Sequence, residues 1–502
     1  MSGKYSKRKI EKMLRESSAT LTPQEDERIR RTLGIADEAD AVKATYAEDT
    51  AEHKADSRGN GRRRTSFNYS AVIAVAAVLC AVALAVWIRT LRKNPVSNSG
   101  EEGQVSTTVT ATPTKTEPTG TPTIGPDEIL LDETNFPDPT FREIVKEDFD
   151  TNRNGALDTE EISARTYLFV SSYDGKVLRS LKGIEFLTEI DYLVCYKSDV
   201  SELDLSKNVK MQYLDCSENK LTKLDLSANV NLVNLHVSGN ELTELDLSAN
   251  PGIGDLDVSG NKLTELDLSA NKYITRLDCS NNKIGRLDLS ANAELKELYC
   301  SNNPLTGLDV TNCKKLTGLE CFECGLETID LSSNTELTIL NLGGNKLAVL
   351  DLSNNGKLEN FDCYRSSLET LIFKPGAPLQ RVSCEENKLT SLDVSGLAML
   401  EQLDCGRNAL SELDVSGNPE LRVLLCDRNP IRKLDLSRNS KLEGLTCWDC
   451  GMSELILGSH PSMMSIYAIG NKFTELDASG CPETADITVD DGVTVIRTKS
   501  GQ

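Results

Sequence analysis

"LDCSNNKIGRLDLSANAELKE", residues Leu277–Glu297, is one turn of a repeat, and the same pattern begins again at Leu298. Each 21-residue unit divides into halves of 10 and 11 residues. Leucines open the half-units at Leu203, Leu214, Leu224, Leu235, Leu245, Leu256 and Leu266, and so on to Leu476. A fixed period of this size marks a solenoid, in which no unit buries its apolar face until a neighbour stacks on it. The pattern predicts a mainly β fold over residues 190–481, about fourteen coils with short parallel strands. Alternate strand residues face opposite ways. In Leu287-Asp288-Leu289-Ser290 the leucines therefore face in, and Asp288 and Ser290 face out.

The remaining columns follow from the same stacking. One asparagine column runs through Asn219, Asn240, Asn261, Asn282 and Asn303, and a second through Asn208, Asn229, Asn250, Asn271 and Asn292. Buried asparagines at coil corners are expected to bond the backbone of the next coil, satisfying groups that have no sheet partner. Cys195, Cys216, Cys279, Cys300, Cys321, Cys363, Cys384, Cys405, Cys426 and Cys447 share one inward column, where Val237, Val258 and Leu342 also stand. The site wants a small hydrophobe, and the ladder is expected to be buried and reduced. Cys324, Cys450, Cys313 and Cys481 replace asparagines, and only Cys80 lies off the pattern. The two resulting CxxC pairs, Cys321/Cys324 and Cys447/Cys450, are too far apart to share a metal and read as structural.

Before the repeat, Asp150-Thr151-Asn152-Arg153-Asn154-Gly155-Ala156-Leu157-Asp158-Thr159-Glu160-Glu161 matches a calcium-binding loop. Ca2+ takes six to eight oxygen ligands in flexible geometry. Side chains of Asp150, Asn152, Asn154 and Asp158, the carbonyl of Ala156 and a bidentate Glu161 stand where that geometry needs them, and Gly155 provides the sharp turn. Phe141, Ile144, Val145 and Phe149 line one face of an entering helix that Pro139 can open. No second loop accompanies the first.

"LxxLDCSxNxL" alternating with "LxxLDLSxN" resembles the bacterial leucine-rich repeats of nested ten- and eleven-residue halves, the IRREKO type, over some 290 residues. "NFPDPTFREIVKEDFDTNRNGALDTEEI" followed by "LRSLKGIEF" is similar to the EF-hand entrance of such surface proteins, placing an EF-hand-like cap at residues 127–189. The resemblance implies surface display and a ligand to be bound, and it carries no catalytic residues.

Every residue from Ala71 to Ile88 is apolar, long enough for one membrane helix over 69–88, with Tyr69 and Trp87 as interface residues. Lys54, Arg58, Arg62, Arg63 and Arg64 before it outnumber Arg89, Arg92 and Lys93 after it, which favours a cytoplasmic N-terminus. Residues 89–126, rich in Thr and Pro, read as a disordered stalk outside the cell. Residues 1–68 read as a cytoplasmic region, partly helical or disordered, and 482–502 as a C-terminal cap. The alternative to a surface binder is a transmembrane sensor signalling through residues 1–68.

Charge narrows the partners. Of the formal net charge of −22, residues 1–93 carry +6, leaving −28 for the rest. So acidic a body repels nucleic acid. Catalysis has no constellation: His53, His236 and His460 are scattered, and carboxylates form stripes, not a cleft. In the second half-unit, Asp fills 12 of 14 sites from Asp204 to Asp477, and Ser or Thr fills 12 of 14 from Ser206 to Ser479. The outward columns of the first half vary, and there Tyr299, Phe322, Tyr364, Trp448 and Tyr467 stand out. Exposed aromatics anchor interfaces, so these five mark the expected binding face for an extracellular protein or glycan.

Overall fold

The computed structural model describes Gly125, residues 128–171 and residues 177–497. The expected span at 69–88, the tail before it and most of the stalk lie outside the described residues. Among the described residues no helix is long and apolar enough to cross a membrane.

Two short helices open the structure. Helix α1 (Pro139–Asp148) is capped by Asp138, whose carboxylate accepts from the amides of Thr140 and Phe141. Its other oxygen accepts from Arg179 and Ser180 at 2.8 and 3.2 Å, tying the helix to the entrance of the repeat. Phe141, Ile144, Val145 and Phe149 are buried as expected, continuous with the core of the rod. Helix α2 (Thr159–Ser163) starts on a reciprocal capping box between Asp158 and Glu161.

The rod is a parallel solenoid of about 15 coils. Its principal sheet has 16 strands, from Tyr167–Phe169 at one edge to Asp486–Thr488 at the other. Neighbours pair at an offset of 21 residues through most of the sheet, for example Leu214 with Leu235 and Leu277 with Leu298. The sheet thus begins inside the segment assigned to the cap, and it runs one strand past Cys481.

The second half-units depart from expectation. Their leucines are buried, but most form no strand. Each Asp there accepts the amide of the Ser two residues on, as Asp204 does from Ser206 and Asp225 from Ser227, both at 2.9 Å. That local turn occupies a donor which a strand would offer its neighbour. Two-stranded pairs form where isoleucine replaces the Asp in the later member: Val349–Leu352 with Thr370–Phe373, Lys433–Asp435 with Glu454–Ile456, and Glu475–Asp477 with Thr494–Ile496.

Both asparagine ladders are buried, and they reach to the preceding coil instead of the next one. In the first ladder Asn261 donates to Val237 O, Val258 O and Ser259 O at 2.9–3.2 Å and accepts from the Leu242 amide at 3.0 Å. In the second, Asn271 donates to Leu247 O and Asn250 O, while its own Oδ1 is buried without a partner. The ladder cysteines reproduce the donor alone: Cys313 Sγ lies 3.7 Å from Asn292 O. At the far end Asp490 accepts from the amides of Gly470 and Asn471.

Candidate binding face and calcium-loop geometry

The outward side of the principal sheet carries all five aromatics of the expected binding face. Tyr299 and Tyr467 lie in one strand column, eight strands apart or roughly 38 Å at strand spacing. Phe322, Tyr364 and Trp448 lie in the column just after it. They are spread along the rod and form no single cluster.

Their surroundings differ. The Arg428 guanidinium covers one face of Trp448 at 4.1 Å, and Arg276 lies over Tyr299 at 5.3 Å. Tyr364 lies back over Gly343, where any side chain would collide with the ring. Tyr467 is open, with 43% of its surface exposed, beside Met464 and Ile469 at 66% and 47%. A depression of about 280 Å³ adjoins them, lined by Val423, Leu425, Gly444, Leu445 and Met464. A larger cleft of about 560 Å³ sits on the other half-units, among Glu202, Asp204, Thr222, Lys223 and Asp225. Its walls are charged and repeat from coil to coil, so it offers a ligand little that is specific.

One part of this face went unread in the sequence. Tyr192 and Tyr213 stack at 4.1 Å with planes 5° apart. Phe169 adjoins Tyr192, His236 meets Tyr213 edge-on, and Arg165 caps the run over Tyr167. Tyr167, Tyr192 and Tyr213 precede the central leucine of their strands, whereas the expected columns follow it. Period-two alternation sends both to the same side, and that was the available signal. Along this column the chemistry then turns ionic, with Asp255 3.4 Å from His236 and 3.2 Å from Arg276.

The two sides of the rod also differ in titration. Burial raises Asp278 to about 6, helped by the charge of Asp257. Burial and then Glu385 raise Asp404 to about 7. On the uniform side, hydrogen bonds from the Ser two residues on hold Asp225, Asp288 and Asp330 below the ordinary carboxylate value.

In the loop, Asp150 and Glu161 are buried, at 4% and 5% exposure. Asp150 accepts from the amides of Asn154 and Gly155, each at 3.0 Å. Glu161 closes the loop by accepting from Thr151 N, Asn152 N and Asp158 N at 2.8–3.2 Å. Asn152 Oδ1 accepts from Asn154 N, and Asn154 Oδ1 from Ala156 N, both at 2.8 Å. Gly155 has φ +85°, the left-handed turn it was expected to supply. The strand Ala156–Leu157 pairs antiparallel with Ile129–Leu130, so a segment of the chain's own entrance stands where a second loop would. The carboxylates of Asp150, Asp158 and Glu161 do not all lie within 4.8 Å of one another; among the described residues only the sulfurs of Cys300, Cys321 and Cys324 form so tight a group.

Comparisons with known proteins fit this architecture. A leucine-rich-repeat family model matches residues 294–316. The functional domain of InlJ from Listeria monocytogenes, which includes a cysteine ladder, is 31% identical with a TM-score of 0.53, covering 64% of this chain and 76% of that one. The Leptospira interrogans leucine-rich-repeat protein LIC12759 is 17% identical with a TM-score of 0.52, covering 66% of this chain and 92% of that one, a likeness of fold. No curated protein sequence matches this chain. The chain belongs to the leucine-rich-repeat proteins.

Proposed function

We propose that this protein is a membrane-anchored bacterial surface protein that binds an extracellular protein through the outward side of its principal sheet. One observation carries the reading: the outward columns of that sheet change from coil to coil, while those of the other half-units hardly change. A surface that varies around a constant frame is what a specific partner needs, since affinity concentrates in a few aromatic or apolar anchors. The exposed group Met464, Tyr467 and Ile469, with the adjoining depression, forms its best-developed part. Aromatics already covered by arginines, as at Trp448 and Tyr299, contribute amphipathic contact area instead of bare hydrophobic anchors. A glycan is disfavoured by the aliphatic character of that group.

Anchorage rests on the apolar run at 71–88 and orientation on its flanking charges, with the rod outside. The calcium reading rests on two buried carboxylates, Asp150 and Glu161, neither of which meets a basic side chain among the described residues. Buried charges are paired or coordinate metals. Asp150, Asn152, Asn154, Asp158, Glu161 and the Ala156 carbonyl would hold Ca2+, which would stiffen the entrance of the rod.

The test is an array of extracellular proteins and glycans probed with cells displaying the full chain. Protein hits that weaken by about tenfold or more in Tyr467→Ser and Met464→Ser, and persist in Asp288→Asn with Asp330→Asn, support the reading. Loss only in the second pair would place binding on the uniform side and refute it.

A further inference from the structure

The fold brings together three cysteines that no local spacing predicts. Cys321 and Cys324 form a CxxC pair within one coil, and the preceding coil adds Cys300 from the inward column. Their sulfurs lie within 4.8 Å of one another, and all three side chains are buried. Cys324 stands at a position that asparagine holds in the flanking coils, at Asn303 and Asn345. There its Sγ reaches Cys300 O at 3.2 Å and Phe322 O at 3.5 Å.

We propose that Cys300, Cys321 and Cys324 form a binding site for a soft monovalent metal ion, Cu(I), held by three sulfurs. Metal–thiolate bonds of about 2.3 Å set ligand sulfurs about 3.8–4.0 Å apart. The cluster therefore closes on an ion with sub-ångström movement of each side chain. Thiolates select soft ions. Zn2+ in a closed site requires four ligands, and no fourth thiol, imidazole or carboxylate joins the group among the described residues. Burial denies the fourth place to water. A d10 ion content with three sulfurs fits what remains. Binding exchanges thiol protons for the metal, up to three H+ released per Cu(I), and no electron moves. Entry is from the Phe322–Gly325 turn, where the space beside Gly325 is open.

The rod carries its own comparison. Cys426, Cys447 and Cys450 repeat the same three positions 126 residues on. Their sulfurs do not draw into a comparable group, and burial raises the Cys450 thiol. The assignment therefore belongs to the first trio only.

The reduced full chain, purified in detergent without oxygen, is titrated with Cu(I) against a chromophoric Cu(I) chelator, and sulfur coordination is counted by X-ray absorption. One tightly held Cu(I) with three sulfur neighbours is expected. Cys324→Asn, which restores the residue of the flanking coils, should weaken binding by at least about tenfold with unchanged circular dichroism. Cys450→Asn should leave it unchanged. The proposal is overturned by an absence of chelator-resistant copper, by equal affinity in Cys324→Asn, by equal loss in Cys450→Asn, or by a Cys321–Cys324 disulfide in the protein as isolated, before any reduction.

Discussion

The two asparagine ladders look alike in sequence but should differ in energy, and a pair of alanine substitutions separates them. In Asn261→Ala the Leu242 amide loses its acceptor, and the structure provides no other. Val237 O and Val258 O each keep a second donor, from Asn240 and Asn282 at 3.0 Å, and Ser259 O keeps the Gly239 amide at 2.8 Å. One buried orphan N–H costs about 1–3 kcal/mol. Weakening of the shared carbonyls brings the total to roughly 2–4 kcal/mol. Asn271→Ala is milder. Leu247 O keeps the Asn250 amide at 3.0 Å, and Asn250 O keeps the Ile253 amide at 3.3 Å. The substitution also removes a buried oxygen that has no partner. Its cost should be about 1 kcal/mol, apart from a void common to both variants. Long repeat arrays do not unfold in one step, so the readout is native-state hydrogen exchange of the substituted coil and its neighbours, with urea midpoints alongside. Asn261→Ala should speed exchange around Leu242 far more than Asn271→Ala does around Leu247. Equal destabilisation would show that the orphan oxygens have partners of comparable worth, and the reasoning would fail.

Glu161→Gln should weaken calcium binding by at least about tenfold in calorimetric titration while leaving the distant coils folded, since repeat stability is nearest-neighbour in character. Unchanged affinity would remove Glu161 from the ligand set. Thiol counting should find few reactive groups in the folded protein, led by the half-buried Cys481, and all 15 cysteines after denaturation; a large shortfall would mean disulfides. Asp404, an acid whose folded value of about 7 exceeds its ordinary one, binds its proton more tightly when folded, so its contribution falls as pH rises from about 4 to about 7. Asp404→Asn should therefore stabilise the rod at pH 8 by roughly 1–2 kcal/mol and hardly change it at pH 4, read as urea midpoints. A stabilisation independent of pH would contradict this.

Much of this architecture was legible because its causes are local and repeated. The spacing of Leu214, Leu235 and Leu256 dictates the coil, and Cys279, Val258 and Leu342 share a column because one small apolar pocket recurs. What stayed hidden depended on which of two local bonds wins. Asp204 and Ser206 look like outward strand residues, yet their Asp-to-amide bond takes the donor and the strand is lost. The same limit applies to the cysteines. Cys321 and Cys324 are three residues apart, but Cys300 reaches them only through the stacking of coils. Tyr192 and Tyr213 were missed because one outward column was read and its companion, on the other side of the central leucine, was not. The loop at 150–161 was legible down to its turn glycine, while the Ile129–Leu130 strand that completes it carries no motif.

Identical coils in register hold no information about where a stack should stop, and the open edge of one molecule would accept the first strand of another. Fibre growth is thus the default fate of such a chain, and its ends must forbid it. At the start, α1 and the 150–161 loop bury their apolar faces against the first coil, leaving no bare platform. At the finish, Asp490 stands where a further coil would build on Gly470 and Asn471. A carboxylate accepts hydrogen bonds but has none to donate, so it satisfies the last amides and ends the asparagine ladder. At that end of the described residues the ladder thus closes on a group that accepts without offering.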